Sequence, residues 1–294
     1  MKKNKKIVVL TAESRLALFN LIDKIPNRFI DVGISEQNLV GISAGLAKKD
    51  MFPIIHAMSA FLTMRSFEFI RTDLGYPSLP SILVGAFNGL SEVKNGTGNG
   101  PTHQAIEDIA LMKLVPNMTI FAPADIDEAS QCFKNLKNIH GPVYLRYTNV
   151  QPFIHNKNKK FVWGENILIS PGTQIAILSF GEQLKTCLDV RDKLKENGIK
   201  PAIYNVRFVH PINENFIRNI LKKFKTIVIV EDHIPIGGLT STVKEIAFNV
   251  KSNTQIISIN LKNWFFKPGN YQNAIDDAGF SAIKIYEKII KELN

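Results

Sequence analysis

Three short stretches carry residue types whose spacing could do chemistry. Residues 34–38 read Ile-Ser-Glu-Gln-Asn, and Glu36 lies between a strand-like run and a small-residue run of helical character. A carboxylate at such a junction is costly to bury unless something uses it. It also suits a solvated first helical turn, where it favours the helix dipole. Residues 98–104 read Gly-Asn-Gly-Pro-Thr-His-Gln. The glycines let the backbone approach a ligand and Pro101 stiffens the path to His103. "QAIEDIALMKLV" is expected to be a helix with His103 at its N-terminal end. There the helix field disfavours imidazolium, so His103 could donate to a developing oxyanion or move a proton. A capping loop with an incidental histidine fits the same residues. In "SAFLTMRSFEFIRTDLGY", Phe61, Met64 and Phe67 recur at three-residue spacing and are expected to share a helix face. That pattern suits a core stripe, or an aromatic and thioether wall around a flat heterocycle. Arg65, Glu68, Arg71 and Asp73 decorate other faces and could form ion pairs.

The surrounding sequence alternates apolar strand-like runs with helix-like segments. "KIVVLTA" precedes "SRLALFNLIDKI", "RFIDV" precedes the Glu36 stretch, and "FPIIHAM" precedes the Phe61 stretch. "SILVGAF" leads into the glycine-rich loop, "TIFAPA" precedes "DIDEASQCFKNLKN", and "PVYLRY" closes the first half. Strands that are apolar throughout predict an α/β fold with a parallel sheet covered on both faces. The polar, basic "TNVQPFIHNKNKKF" reads as a linker, after which the rhythm resumes. The expected organisation is two α/β domains over 1–150 and 163–294, joined by a linker at 151–162, each a mostly parallel sheet flanked by helices.

Composition narrows the function classes. The 294 residues suit two ordinary domains better than one, and 45% hydrophobic with 21% charged residues is a globular balance. The longest apolar runs fall far short of the roughly 20 residues that span a bilayer. The N-terminal "MKKNKKIVVLTAESR" reads as a first buried strand rather than a signal peptide. Cys132 and Cys187 are far apart and lack metal-ligand spacing, so a reduced, cytoplasmic protein is expected. The net charge of +10 is scattered and accompanies no nucleic-acid motif. It fits a solvated surface, or an anionic ligand. The "PIGGLTS" glycines lack dinucleotide-fingerprint spacing.

Taken together and in this order, the stretches resemble the C-terminal part of transketolase, and more closely the separately encoded C-terminal subunit of two-chain transketolases. The resemblance is carried by "RFIDVGISEQNLVGISAGLA", "FPIIHAMSAFLTMRSFEFIRTDLGY", "GPTHQAIEDIALMKLVPNMTIFAPADIDEA", "GPVYLRY" and, more weakly, "VIVEDHIPIGGLTSTVKE". It implies a thiamine diphosphate pyrimidine-binding domain over 1–150 and a transketolase C-terminal domain over 163–294. It also implies that Glu36 hydrogen-bonds the pyrimidine N1' and so promotes the imino tautomer that takes the C2 proton. That role needs a desolvated carboxyl that holds a proton near neutrality. By the same resemblance Phe61 stacks on the pyrimidine, with Met64 and Phe67 around that ring. His103 would lie beside the donor carbonyl, and Arg146 near anionic substrate groups. His56 is placed either near the site or as a packed strand-end histidine.

The resemblance also defines what is missing. Two-domain transketolases carry a Gly-Asp-Gly motif and a later Asn whose oxygens hold the Mg2+ that bridges the diphosphate; this sequence contains no Gly-Asp-Gly. The implied enzyme therefore needs a separate N-terminal subunit that binds most of the magnesium and diphosphate, giving an α2β2 heterotetramer. Asn99 occupies a substrate-binding position where many sugar-phosphate transketolases have an acidic residue, and the upstream "SEVKNGTGNG" lacks their His-Asp-Ser run. Lys94 could supply a charge there. These departures favour a sugar outside the usual pentose-phosphate set. The implied activity is ketol transfer between sugars. The alternatives are a 2-oxo acid dehydrogenase β subunit, a deoxyxylulose phosphate synthase-like enzyme, or a non-catalytic relative.

Overall fold

The computed structural model describes residues 4–14, 18–90, 100–147, 161–261 and 270–293. The first half contributes strands β1 (Ile7–Thr11), β2 (Phe29–Asp31), β3 (Phe52–Met58), β4 (Ser81–Ala86), β5 (Thr119–Phe121) and β6 (Pro142–Tyr147). Its helices are α1 (Phe19–Ile22), α2 (Glu36–Lys48), α3 (Phe67–Phe69), α4 (Asp108–Lys113) and α5 (Ile126–Lys134). The second half contributes β7 (Ile167–Ser170), β8 (Ile175–Ser179), β9 (Pro201–Asn205), β10 (Phe208–His210), β11 (Thr226–Val230) and β12 (Gln255–Ile259). Its helices are α6 (Gln183–Glu196), α7 (Glu214–Lys223), α8 (Leu239–Asn249), α9 (Tyr271–Asp277) and α10 (Ala282–Leu293).

The strands form two sheets, in the orders β10-β5-β6-β4-β3-β1-β2 and β12-β11-β8-β9-β7. Neighbours pair in parallel except β10 with β5 and β7 with β9. The chain is thus an α/β protein with two mostly parallel sheets flanked by helices, as its apolar strands require. Strands β1 and β4 are buried at every position, because helices cover both faces. Leu39, Val40, Ala44 and Ala47 turn one side of α2 into the core beside β3. In the second half, Cys187, Val190 and Leu194 of α6 pack with Ile285 and Ile289 of α10.

Two departures from the sequence reading bear on function. "KPAIYNVRF" breaks into two strands, and β10 leaves its own half to pair with β5 of the first sheet. The halves therefore share a sheet edge. "SAFLTMRSFEFIRTDLG" is not one regular helix: Phe61–Arg65 and Ile70–Gly75 are wide π-type turns flanking the short α3. Such turns re-aim side chains and recur at functional sites. Among the described residues, no helix is long and apolar enough to cross a membrane.

Candidate active site

In a parallel sheet of this kind, ligands bind beyond the carboxyl ends of the strands. The register brings Asp31 of β2 beside Thr11 of β1, and Met58 of β3 beside Ala86 of β4. The segments that follow β2, β3 and β4 carry Glu36, Phe61 and His103. The turn after β2 is fastened by the Asp31 carboxylate, which accepts the Glu13 N–H at 3.1 Å and the Gly33 N–H at 3.0 Å. It delivers Glu36 as the first residue of α2, with only 4% of its surface exposed. The solvated first-turn reading therefore does not hold.

Glu36 faces the wide turn after β3. Arg65 Nη1 lies 3.5 Å from its Oε1. The same guanidinium carbon lies 3.8 Å from the centre of the Phe61 ring. His103 approaches Phe61 from a third segment, with ring centres 4.9 Å apart at 69°. Three stretches distant in sequence thus meet around one half-buried aromatic ring. Phe61, Met64 and Phe67 do not form the single stripe expected of them. Met64 is exposed, whereas Phe67 packs against the first-half core, because the chain widens at Phe61–Arg65.

His103 also sits differently from its expected place. It ends a 3-10 turn, Pro101–His103, and α4 begins only at Asp108. Gln104 is extended, and Ala105 forms a parallel bridge with Asn88. The helix-terminus argument for His103 therefore fails. Its Nδ1 instead lies 2.9 Å from the Thr102 hydroxyl. Gly100 has φ +91° and ψ −177°, a conformation open essentially to glycine alone. Asn99 and Lys94 lie outside the described residues.

Arg146 does not line an open anion site, contrary to its expected place. It is 3% exposed, and its guanidinium donates to Asp108 Oδ2 and to Asp232 Oδ1, each at 2.9 Å. Tyr144 donates its hydroxyl to the same Asp108 oxygen at 2.8 Å. Two buried carboxylates hold the cation, so Arg146 bridges the halves instead of facing an anionic ligand. His56 lies on β3, and burial pushes its pKa down to about 4. Among the described residues its Nδ1 has no hydrogen-bond partner. Among the described residues no ring contact or hydrogen bond joins it to Glu36, Phe61 or His103.

The bridge supports the site. The Leu90 N–H donates to Asp232 Oδ2 at 3.1 Å, and Ile234 donates its N–H to the Ile106 carbonyl at 2.9 Å. The Gly89 N–H bonds the Ala105 carbonyl at 2.8 Å. A side chain at Gly89 would overlap the Asp232 carboxylate. Both ends of the segment bearing His103 are thus fastened to the loop after β11. Asp108 and Asp232 escaped sequence reasoning, since long-range pairing leaves no periodic signal; "VIVED", a charged pair closing an apolar strand, was the available hint. Among the described residues, no group of three or more His, Cys, Asp or Glu side chains could hold a metal ion.

Comparison with known proteins agrees with this architecture. The family description "Transketolase, pyrimidine binding domain" matches residues 1–151, and "Transketolase, C-terminal domain" matches residues 164–285. A 1-deoxy-D-xylulose-5-phosphate synthase from Dictyoglomus turgidum is 34% identical over 92% of this chain and 43% of its own length. The chain spans less than half of that relative. A Methanocaldococcus jannaschii protein named "Putative transketolase C-terminal section" is 31% identical over 99% of this chain and 92% of its own length. A solved split-gene transketolase, described as an inactive β4 tetramer, superposes with TM-score 0.88 at 28% identity, covering 99% of this chain and 93% of the other. Campylobacter jejuni transketolase shares the fold, with TM-score 0.76 at 15% identity, over 44% of its own length. With both domain types matched in order along nearly its whole length, the chain belongs to the transketolase family.

Proposed function

We propose that this chain is the pyrimidine-binding and C-terminal subunit of a thiamine diphosphate enzyme that moves a two-carbon ketol unit between sugars. The observation that carries the reading is the meeting of Glu36, Arg65, Phe61 and His103 at the carboxyl end of one sheet. A buried carboxyl beside a ring face suits the aminopyrimidine end of the cofactor. By analogy with the split-gene relative, whose length this chain matches, the diphosphate and its Mg2+ are assigned to a separate N-terminal subunit. When bound, the cofactor supplies the carbon that carries the transferred unit. Glu36 would hydrogen-bond the ring nitrogen N1' from the buried start of α2. Phe61 would pack against the ring and keep water from it, while Met64 and Phe67, one exposed and one packed on the core, are left at the margin of the seat. His103 would donate to the oxygen of the donor carbonyl or carry a proton there. Asn99 is assigned to the substrate side, in the loop before His103.

The length match to split transketolases supports a two-chain assembly, taken as α2β2. The β4 relative described as inactive fits a chain that needs its partner. A second reading is favoured by the 34% identity to a 1-deoxy-D-xylulose-5-phosphate synthase. One assay separates the two. The chain is mixed with a Gly-Asp-Gly-bearing partner, thiamine diphosphate and Mg2+. Transfer from hydroxypyruvate to an aldose supports the first reading, and condensation of pyruvate with glyceraldehyde 3-phosphate supports the second. Turnover by this chain alone would refute the two-chain reading.

A further inference from the structure

Arg65 stands between the two groups that a flat cofactor ring would need. Its guanidinium lies 3.8 Å from the centre of the Phe61 ring and 3.5 Å from Glu36 Oε1. Guanidinium is planar, presents N–H donors and stacks on aromatic faces. An aminopyrimidine is likewise flat and stacks, and its ring nitrogen N1' is the hydrogen-bond partner that the Glu36 carboxyl would take in place of the guanidinium. Glu36 is 4% exposed, and a buried carboxylate without a partner is costly. Arg65 relieves that cost from outside, since 45% of its own side chain is exposed. A long, half-exposed pair of this kind is weak and easily broken.

We propose that Arg65 sets the cofactor affinity of this seat: its guanidinium stands in for the aminopyrimidine between Glu36 and Phe61, and the ring binds by displacing it. The inference rests on the reading of Glu36 and Phe61 as the pyrimidine seat. Phe61 and Arg65 are four residues apart, so the wide turn returns the guanidinium over its own ring. Arg65 therefore competes directly with the ring for both partners. It leaves the partner subunit's hold on the diphosphate untouched.

The test is a ligand-observed NMR titration of the full chain with 4-amino-5-hydroxymethyl-2-methylpyrimidine, the ring half of thiamine. Arg65→Ala is expected to bind this probe about three- to ten-fold tighter than the parent, the scale of one exposed ion pair plus one exposed cation–π contact. Arg65→Lys, which keeps the charge but not the flat fork, is expected to fall between them. Adding Phe61→Ala to Arg65→Ala should abolish the gain. Equal or weaker binding by Arg65→Ala, with the parent's binding still lost in Phe61→Ala, overturns the proposal and leaves the seat standing. Binding that is absent throughout, or indifferent to Phe61, overturns both.

Discussion

Glu36, Arg65 and His103 meet around the Phe61 ring, the proposed pyrimidine seat. His103 is held by the Thr102 hydroxyl at Nδ1 and by the Phe61 ring. His103→Ala is expected to lower kcat of the assembled enzyme about 10²- to 10⁴-fold, the usual worth of a positioned proton carrier. Thiamine diphosphate affinity should hold, and steady-state kinetics beside a cofactor titration check both. Glu36 and His103 stand out in the sequence by residue type, at a strand–helix junction and in a glycine-rich loop, and the fold brings both segments to Phe61. Arg146 was misread for the opposite reason. Its partners Asp108 and Asp232 lie on other segments, and nothing in "VYLRY" records that two carboxylates will bury it. The Arg65 contact was legible only as one ion pair among several on a decorated helix.

The segment from Leu90 to Ile106 is the element on which catalysis would turn. It is closed at its base by the Asn88–Ala105 bridge and the Gly89–Ala105 hydrogen bond. Gly100, at φ +91°, then lets the chain enter the turn that ends at His103. Gly100→Ala would force a side chain into that conformation, at a local cost of about 1–3 kcal/mol. The expected result is lost turnover with a melting temperature close to the parent's, because no described residue crowds a side chain at Gly100 and the strain falls on the turn that ends at His103. Calorimetry and activity on the same sample test this. Strand–helix alternation was readable from apolar periodicity. The short α4 was not, because Ala105 and Ile106 spend their backbone groups on Asn88, Gly89 and Ile234 instead of on a helix.

Across the whole molecule, the second half acts as a brace for the first. β10 completes the first sheet, Arg207 pairs with Glu128 at 3.0 Å, and Arg146 ties Asp108 to Asp232. Arg146→Ala would strand two buried carboxylates and is expected to cost about 3–5 kcal/mol. Denaturant unfolding should show the two halves weakened together, and loss confined to one half would contradict the brace. The same region makes stability acid-sensitive. His233 is fully buried, and burial pushes its pKa down to about 4, although Asp108 pulls the other way. It stays neutral in the fold, donating to the Ile234 carbonyl and accepting the Ala110 N–H. The unfolded chain takes up its proton below about pH 6.5, so stability from this group is lost as pH falls from 6.5 to 4, by up to about 3 kcal/mol. Burial of His56 acts in the same direction. Unfolding free energies measured across that range test the slope, which His233→Gln should flatten. The central claim is that this chain activates a cofactor whose diphosphate another chain holds, and that Glu36 performs the activation. Its most direct test is the deuterium exchange rate at C2 of thiamine diphosphate bound to the reconstituted complex, read by acid quench and NMR. Exchange that is fast with the parent and slower by about two orders of magnitude or more with Glu36→Gln is the predicted result. Equal rates for parent and variant would contradict it.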